Sequence, residues 1–94
     1  MKGPYPTRLA TVHAEKIKAK GLCRIKDKDK LRAEILRYAF AVIRKYKGWE
    51  DRHGISYVHH LADYAGYPYQ IIADRDDVRA IRNETPYVQR IWVA

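Results

Sequence analysis

Val58-His59-His60-Leu61-Ala62-Asp63-Tyr64-Ala65-Gly66-Tyr67-Pro68-Tyr69-Gln70-Ile71-Ile72-Ala73-Asp74-Arg75 is the stretch on which the fold turns. Val58, Leu61, Ala62 and Ala65 recur at steps of three and four, the spacing of one helix face. With Ser56 placed to cap it, the pattern predicts a short helix over about 57–65. Gly66-Tyr67-Pro68 breaks that helix, and Pro68 suits the first position of a second one. The second helix would carry Ile71 and Ile72 inward and run to about Asp76.

Outward from this stretch, the strongest element lies upstream. Leu31, Ile35, Tyr38, Ala39, Val42, Ile43 and Tyr46 form an apolar stripe over about 30–47. Asp27 or Asp29 can cap its start, Arg44, Lys45 and Lys47 suit the negative end of its dipole, and Gly48 can stop it. A thinner stripe of Leu9, Val12 and Ile17 predicts a first helix over about 8–20, capped by Thr7 and stopped by Gly21. Leu22 to Lys26 reads as a connector or short strand, and Trp49 to Gly54 as a polar turn. Residues 1–6, with prolines at 4 and 6, read as a disordered tail before a single domain over 7–94.

Downstream, Tyr87-Val88-Gln89-Arg90-Ile91-Trp92-Val93 is rich in β-branched and aromatic residues, as strands are. Asp77 to Arg82 can pair with it as a hairpin through Asn83-Glu84-Thr85, or can be helical with Asp74 as a cap. The hairpin is slightly favoured. The expected fold class is therefore mostly α with a C-terminal β-hairpin.

The segment from Val58 to Arg75 resembles the winged helix-turn-helix DNA-binding family. Leu61-Ala62 supplies an apolar and a small residue, Ala65-Gly66-Tyr67 the left-handed turn, and Ile72 the inward anchor. The helix-turn-helix-like unit would span about 56–76 and the wing about 77–93. Two departures stand out: Arg75 occupies a position where the family has an apolar residue, and Asp74, Asp76 and Asp77 crowd the end of the second helix. The alternative is a plain α+β or helical domain. The resemblance implies that Tyr69, Gln70 and Ala73 face base edges, with Gln70 suited to adenine, and that Arg79, Arg82 and Arg90 of the wing meet the backbone or minor groove.

Composition points to the same partner. The 94 residues hold 19 Lys/Arg against 11 Asp/Glu, a net charge of +8. Residues 1–47 hold fourteen basic and four acidic residues, net +10, whereas residues 48–94 hold five and seven, net −2. So one-sided a field attracts polyanions. Lys16, Lys18, Lys20, Arg24, Lys26, Lys28, Lys30 and Arg32 make a diffuse basic run that suits phosphates better than bases.

No stretch of about 18 apolar residues or apolar leader segment occurs, and the one cysteine, Cys23, reads as a small buried hydrophobe in a reducing, cytoplasmic setting. The scarcity of Asn and Gln suits a protein of a hot cell. The pair His59 and Asp63 with His53 and His60 falls short of a metal set, and Asp74, Asp76 and Asp77 read as caps rather than as a Mg²⁺ site. There is no glycine-rich phosphate loop and no Gly-x-Ser-x-Gly elbow. The expectation is thus a non-enzymatic protein without metal or cofactor. It would be a DNA-binding regulator, DNA being favoured over RNA, acting as a homodimer through the 30–47 helix or the first helix. Alternatives are a sequence-neutral RNA- or DNA-packaging protein and a protein-interaction module. The two tryptophans and eight tyrosines could also stack bases, although most would serve the core.

Overall fold

The computed structural model describes residues 4–69 and 73–83. They form four helices: α1 (Pro6–Lys18), α2 (Lys28–Lys45), α3 (Asp51–Ala65) and α4 (Arg75–Arg82). No strand occurs among the described residues. The expected wing is thereby corrected: residues 77–82 are helical, and 87–93 lie outside the described residues. The physical reason is local. Asp74 accepts from the Asp77 backbone N–H at 3.0 Å while Asp77 accepts from the Asp74 N–H at 3.0 Å, a reciprocal cap of the kind that starts helices. Asp76 and Asp77 then lie at the positive end of the α4 dipole, and Arg79 and Arg82 at the negative end. Val78 and Ile81, three apart, point into the core.

The helix-turn-helix reading fails at its second helix. Gly66 does turn left-handed (φ 84°), and Tyr67 N–H closes on Ala62 O and Gly66 N–H on Asp63 O, a Schellman stop. Tyr67 to Tyr69, however, are not helical, nor are Ala73 and Asp74, and the next helix among the described residues is α4, from Arg75. The expected anchor Ile72 lies outside the described residues.

α3 is the hub, packing on all three other helices and most extensively on α1. It starts nearly two turns earlier than the Ser56 cap predicts. Glu50 is its N-cap, and the Glu50 backbone N–H donates to His53 Nδ1 at 3.0 Å. Gly54 therefore lies inside a helix rather than in a turn. A Cβ there would stand 3.0 Å from Val78 Cγ1 and 3.7 Å from Ile43 Cγ1, so glycine permits α3 to lie close to α4 and α2.

α1 opens on Pro6, with Tyr5 as N-cap, rather than on Thr7. Proline at the first position gives up only an N–H that has no intrahelical partner. Its inner stripe is Pro6, Ala10, Ala14 and Ile17, while Val12 faces solvent. The alanines keep the contact with α3 thin, because interaxial distance follows the side chains between helices. α2 follows expectation closely: Leu31, Ile35, Ala39, Val42 and Ile43 are buried, and Tyr38 and Tyr46 are packed at its margin. Together with Trp49, Tyr57, Val58, Leu61, Val78 and Ile81 they form one core.

Candidate functional site

Two surfaces hold the residues singled out by sequence, and they behave differently. The first is the end of α1, the connector 19–27 and the start of α2. Gly21, at φ 69°, turns the chain out of α1. Asp27 closes the connector: its backbone N–H donates to Cys23 O at 2.8 Å, and its Oδ2 accepts from Cys23 N–H at 3.0 Å. This tight loop leaves Cys23 exposed, not buried as expected. The Lys26 N–H lies 3.5 Å from its Sγ, and that contact leads the effects holding the thiol below its ordinary pKa.

Around this loop Lys16, Arg24, Lys26 and Lys30 are exposed and make no ion pair among the described residues. Lys18 lies 3.9 Å from Glu15, with both side chains more than half exposed, an arrangement that holds little. Lys20 is engaged by Glu34 at 2.9 Å, and Glu34 also takes Arg37 at 2.6 Å. Those two cations, Arg37 first, hold the Glu34 carboxyl below its ordinary range. Lys28 donates to the Tyr69 hydroxyl at 3.2 Å. The backbone thus brings Tyr69 against the basic segment, an association invisible in the sequence, where 41 residues separate them.

The second surface is the junction of α3 and α4. Asp51, in the first turn of α3, receives Arg82 at 2.7 Å and Arg79 at 3.1 Å, with Arg75 at 3.8 Å. Arg82 also donates to Trp49 O at 2.6 Å. Arg75, Arg79 and Arg82 share one helix face because they are spaced by four and three. Arg79 and Arg82, expected on a wing strand, are instead helical and serve to fasten α4 to α3. Gln70 and Arg90 lie outside the described residues. Ala73, expected to face bases, is half-buried against the core, and its N–H points at His59 Nε2 at 3.4 Å.

A third group escaped the sequence reading. His13 Nδ1 lies 2.7 Å from the hydroxyl of fully buried Tyr57, and the imidazole stacks on Tyr38 with centroids 4.8 Å apart. Burial, then Lys16 and Lys45, push the His13 pKa down. Burial likewise pushes the Tyr57 phenol up. Trp49 extends this cluster, stacked on Tyr46 at 5.2 Å and donating to Pro4 O at 3.2 Å. The available signal was a histidine in the first helix one step from its inner stripe. Among the described residues no three His, Cys, Asp or Glu side chains converge on a point that could hold a metal ion, and no helix is long and apolar enough to cross a membrane.

These features define a small helical domain with a basic rim at one helix junction and, at another, an arginine face gathered on one carboxylate. The chain matches no protein-family model, and neither a curated protein nor a solved structure is significantly similar to it.

Proposed function

We propose that this chain binds nucleic acid through its phosphates, without reading base sequence, along the end of α1, the 19–27 connector and the start of α2. The observation that carries the reading is the contrast in pairing. Lys16, Arg24, Lys26 and Lys30 have no ion-pair partner among the described residues, whereas the α4 arginines gather on Asp51. An unpaired exposed cation releases counterions from a polyanion, and one already paired must first give up its carboxylate. Lysines on flexible stems suit this role because they follow a phosphate without fixing a base. The setting would be cytoplasmic, where an exposed thiol such as Cys23 stays reduced.

Salt titration tests the reading. Four phosphate contacts imply a log–log slope of about −3 to −4 on duplex DNA. Replacing Lys16, Arg24 and Lys26 by Gln should weaken all sequences alike and flatten the slope by about one unit per lost contact. A wild-type affinity that does not change with salt would overturn the proposal and leave a protein-interaction module as the better reading.

A further inference from the structure

The tyrosines and the tryptophan among the described residues sort into two groups. Trp49 and Tyr57 are buried, and Tyr38, Tyr46, Tyr64 and Tyr67 are partly buried and packed on the core. Tyr5 and Tyr69 are the exposed tyrosines among the described residues, at 73% and 47%. Tyr5 caps the far end of α1, a helix of 13 residues and thus roughly 20 Å from Lys18. Of these two exposed tyrosines, Tyr69 is the one beside the basic segment, at Lys28.

Its setting is ordered. The Lys28 Nζ lies 3.2 Å from the Tyr69 hydroxyl but 5.5 Å from the ring centroid, so it grips the hydroxyl end and does not cover the middle of the ring. Tyr67 meets the ring at a steep angle, 69° with centroids 5.7 Å apart, which sets its tilt. A ring held at its hydroxyl loses less freedom on binding than a loose one. Lys28 opens α2, and Lys26 and Lys30 lie two residues to either side of it. The nearby acids are Asp27, whose carboxylate is occupied by Cys23 N–H, and Asp29. A half-exposed aromatic ring beside an ammonium group is the combination that holds an unpaired base: the π-face stacks while the cation takes a flanking phosphate. In a duplex the base faces are already stacked on one another, so the ring gains nothing there.

We infer that the preferred ligand is a single-stranded polynucleotide, with an unpaired base stacked on Tyr69 beside a phosphate held by Lys28. This rests on the phosphate-binding reading above. It adds a strand preference that charge alone does not give.

The test uses the full chain, a labelled single-stranded oligonucleotide of mixed sequence, and its duplex, with binding followed by fluorescence anisotropy. Tyr69→Ala should weaken single-strand binding about ten-fold and leave duplex binding within about two-fold, since one stacked base contributes about 1–3 kcal/mol. Tyr69→Phe, which keeps the ring and loses the Lys28 bond, should retain most of the single-strand affinity. Because Tyr69 is exposed, both variants should melt as the wild type does. Tyr69→Trp should add an indole signal that single strand quenches and duplex does not. Equal losses for both ligands in Tyr69→Ala, or no loss for either, would overturn the stacking role while leaving phosphate binding in place. If the wild type binds neither ligand in a salt-dependent way, the phosphate reading fails and this inference falls with it.

Discussion

In residues 4–47 the cations sit on a polar rim with few acidic neighbours, whereas in residues 48–83 the arginines of α4 converge on a single carboxylate. By count the sequence is net +10 over residues 1–47 and net −2 over 48–94, and the neighbours decide which cations in each are engaged. Lys16, Arg24, Lys26 and Lys30 face solvent on a helix end and a tight loop. Arg79 and Arg82 lie against Asp51, whose side chain is 20% exposed, so both are engaged within the fold even though Arg79 remains at the surface. A guanidinium fork suits a fixed carboxylate, and an ammonium on a long stem suits a mobile phosphate. Counting the arginines alone therefore overstates α4 as a binding surface, whereas the lysines of the first region are described fairly by their number.

The largest expected effect probes what lies under the first region. Ile35 is fully buried beneath the basic half of α2. Ile35→Ala should cost about 2–4 kcal/mol by leaving a cavity. Each kcal/mol lowers the melting temperature of a domain this size by roughly 4–8 °C. The salt slope of nucleic-acid binding, measured where the variant is still folded, should not move, because Ile35 is buried and the binding cations are exposed. A melt that hardly shifts would mean that α2 contributes surface and little core.

Asp51→Ala breaks the comparison from the other side. It removes the acceptor of two charge-assisted hydrogen bonds, worth about 1.5–3 kcal/mol where they are shielded from water. It also frees Arg79, while Arg82 keeps its bond to Trp49 O, so the weaker protein should bind duplex DNA more tightly and with a steeper salt slope. Stability and affinity moving in opposite directions is the signature expected here and not at Lys26→Gln, which should lower affinity and leave the melt unchanged. If Asp51→Ala destabilises without raising affinity, the α4 face takes no phosphates even when free.

Much of α2 and the inner face of α3 were legible in sequence because long apolar stripes fix a helix by period alone. Gly66 was legible because a left-handed stop needs glycine. What was not legible depended on partners far along the chain. The start of α3 read as a turn because Trp49 and Gly54 look like punctuation, although Trp49 is core and Gly54 makes room for Val78. The end of the chain read as a hairpin because β-branched residues at 87–93 outweighed a helix of only eight residues. The cues for that helix were present: Asp74 and Asp77 three apart, and arginines at 75, 79 and 82 on one face. Of the candidate site, the free lysines were legible as charge. Their contrast with Arg79 and Arg82 was not, because Asp51 lies 28 and 31 residues away.

The smallest effect concerns the join between the two regions, where His13 of α1 meets Tyr57 of α3 at 2.7 Å. A neutral ring with its proton on Nε2 accepts at Nδ1 from the Tyr57 hydroxyl, which is otherwise cut off from water. A protonated ring would have to donate instead, leaving the buried hydroxyl proton without its acceptor, and it would set a third cation beside Lys16 and Lys45. Burial first and those lysines second therefore lower the pKa of His13 below 6.5 in the folded chain. The sign follows from linkage: with the folded pKa lower than the unfolded one, the unfolded chain takes up the proton first. The stabilising contribution is present above about pH 6.5 and drains away as pH falls below it. His59, lowered by burial and then by His60, acts in the same direction. Glu34 contributes only at more acid pH, through the carboxylate range. His13→Gln isolates the first group: it should be less stable than the wild type near neutrality, because the Tyr57 hydroxyl loses its partner. Its loss of melting temperature between about pH 7 and pH 5 should also be shallower, with His59 still present in both proteins. Parallel pH profiles for the two proteins would show that the His13–Tyr57 bond does not couple proton uptake to the packing of α1 on α3.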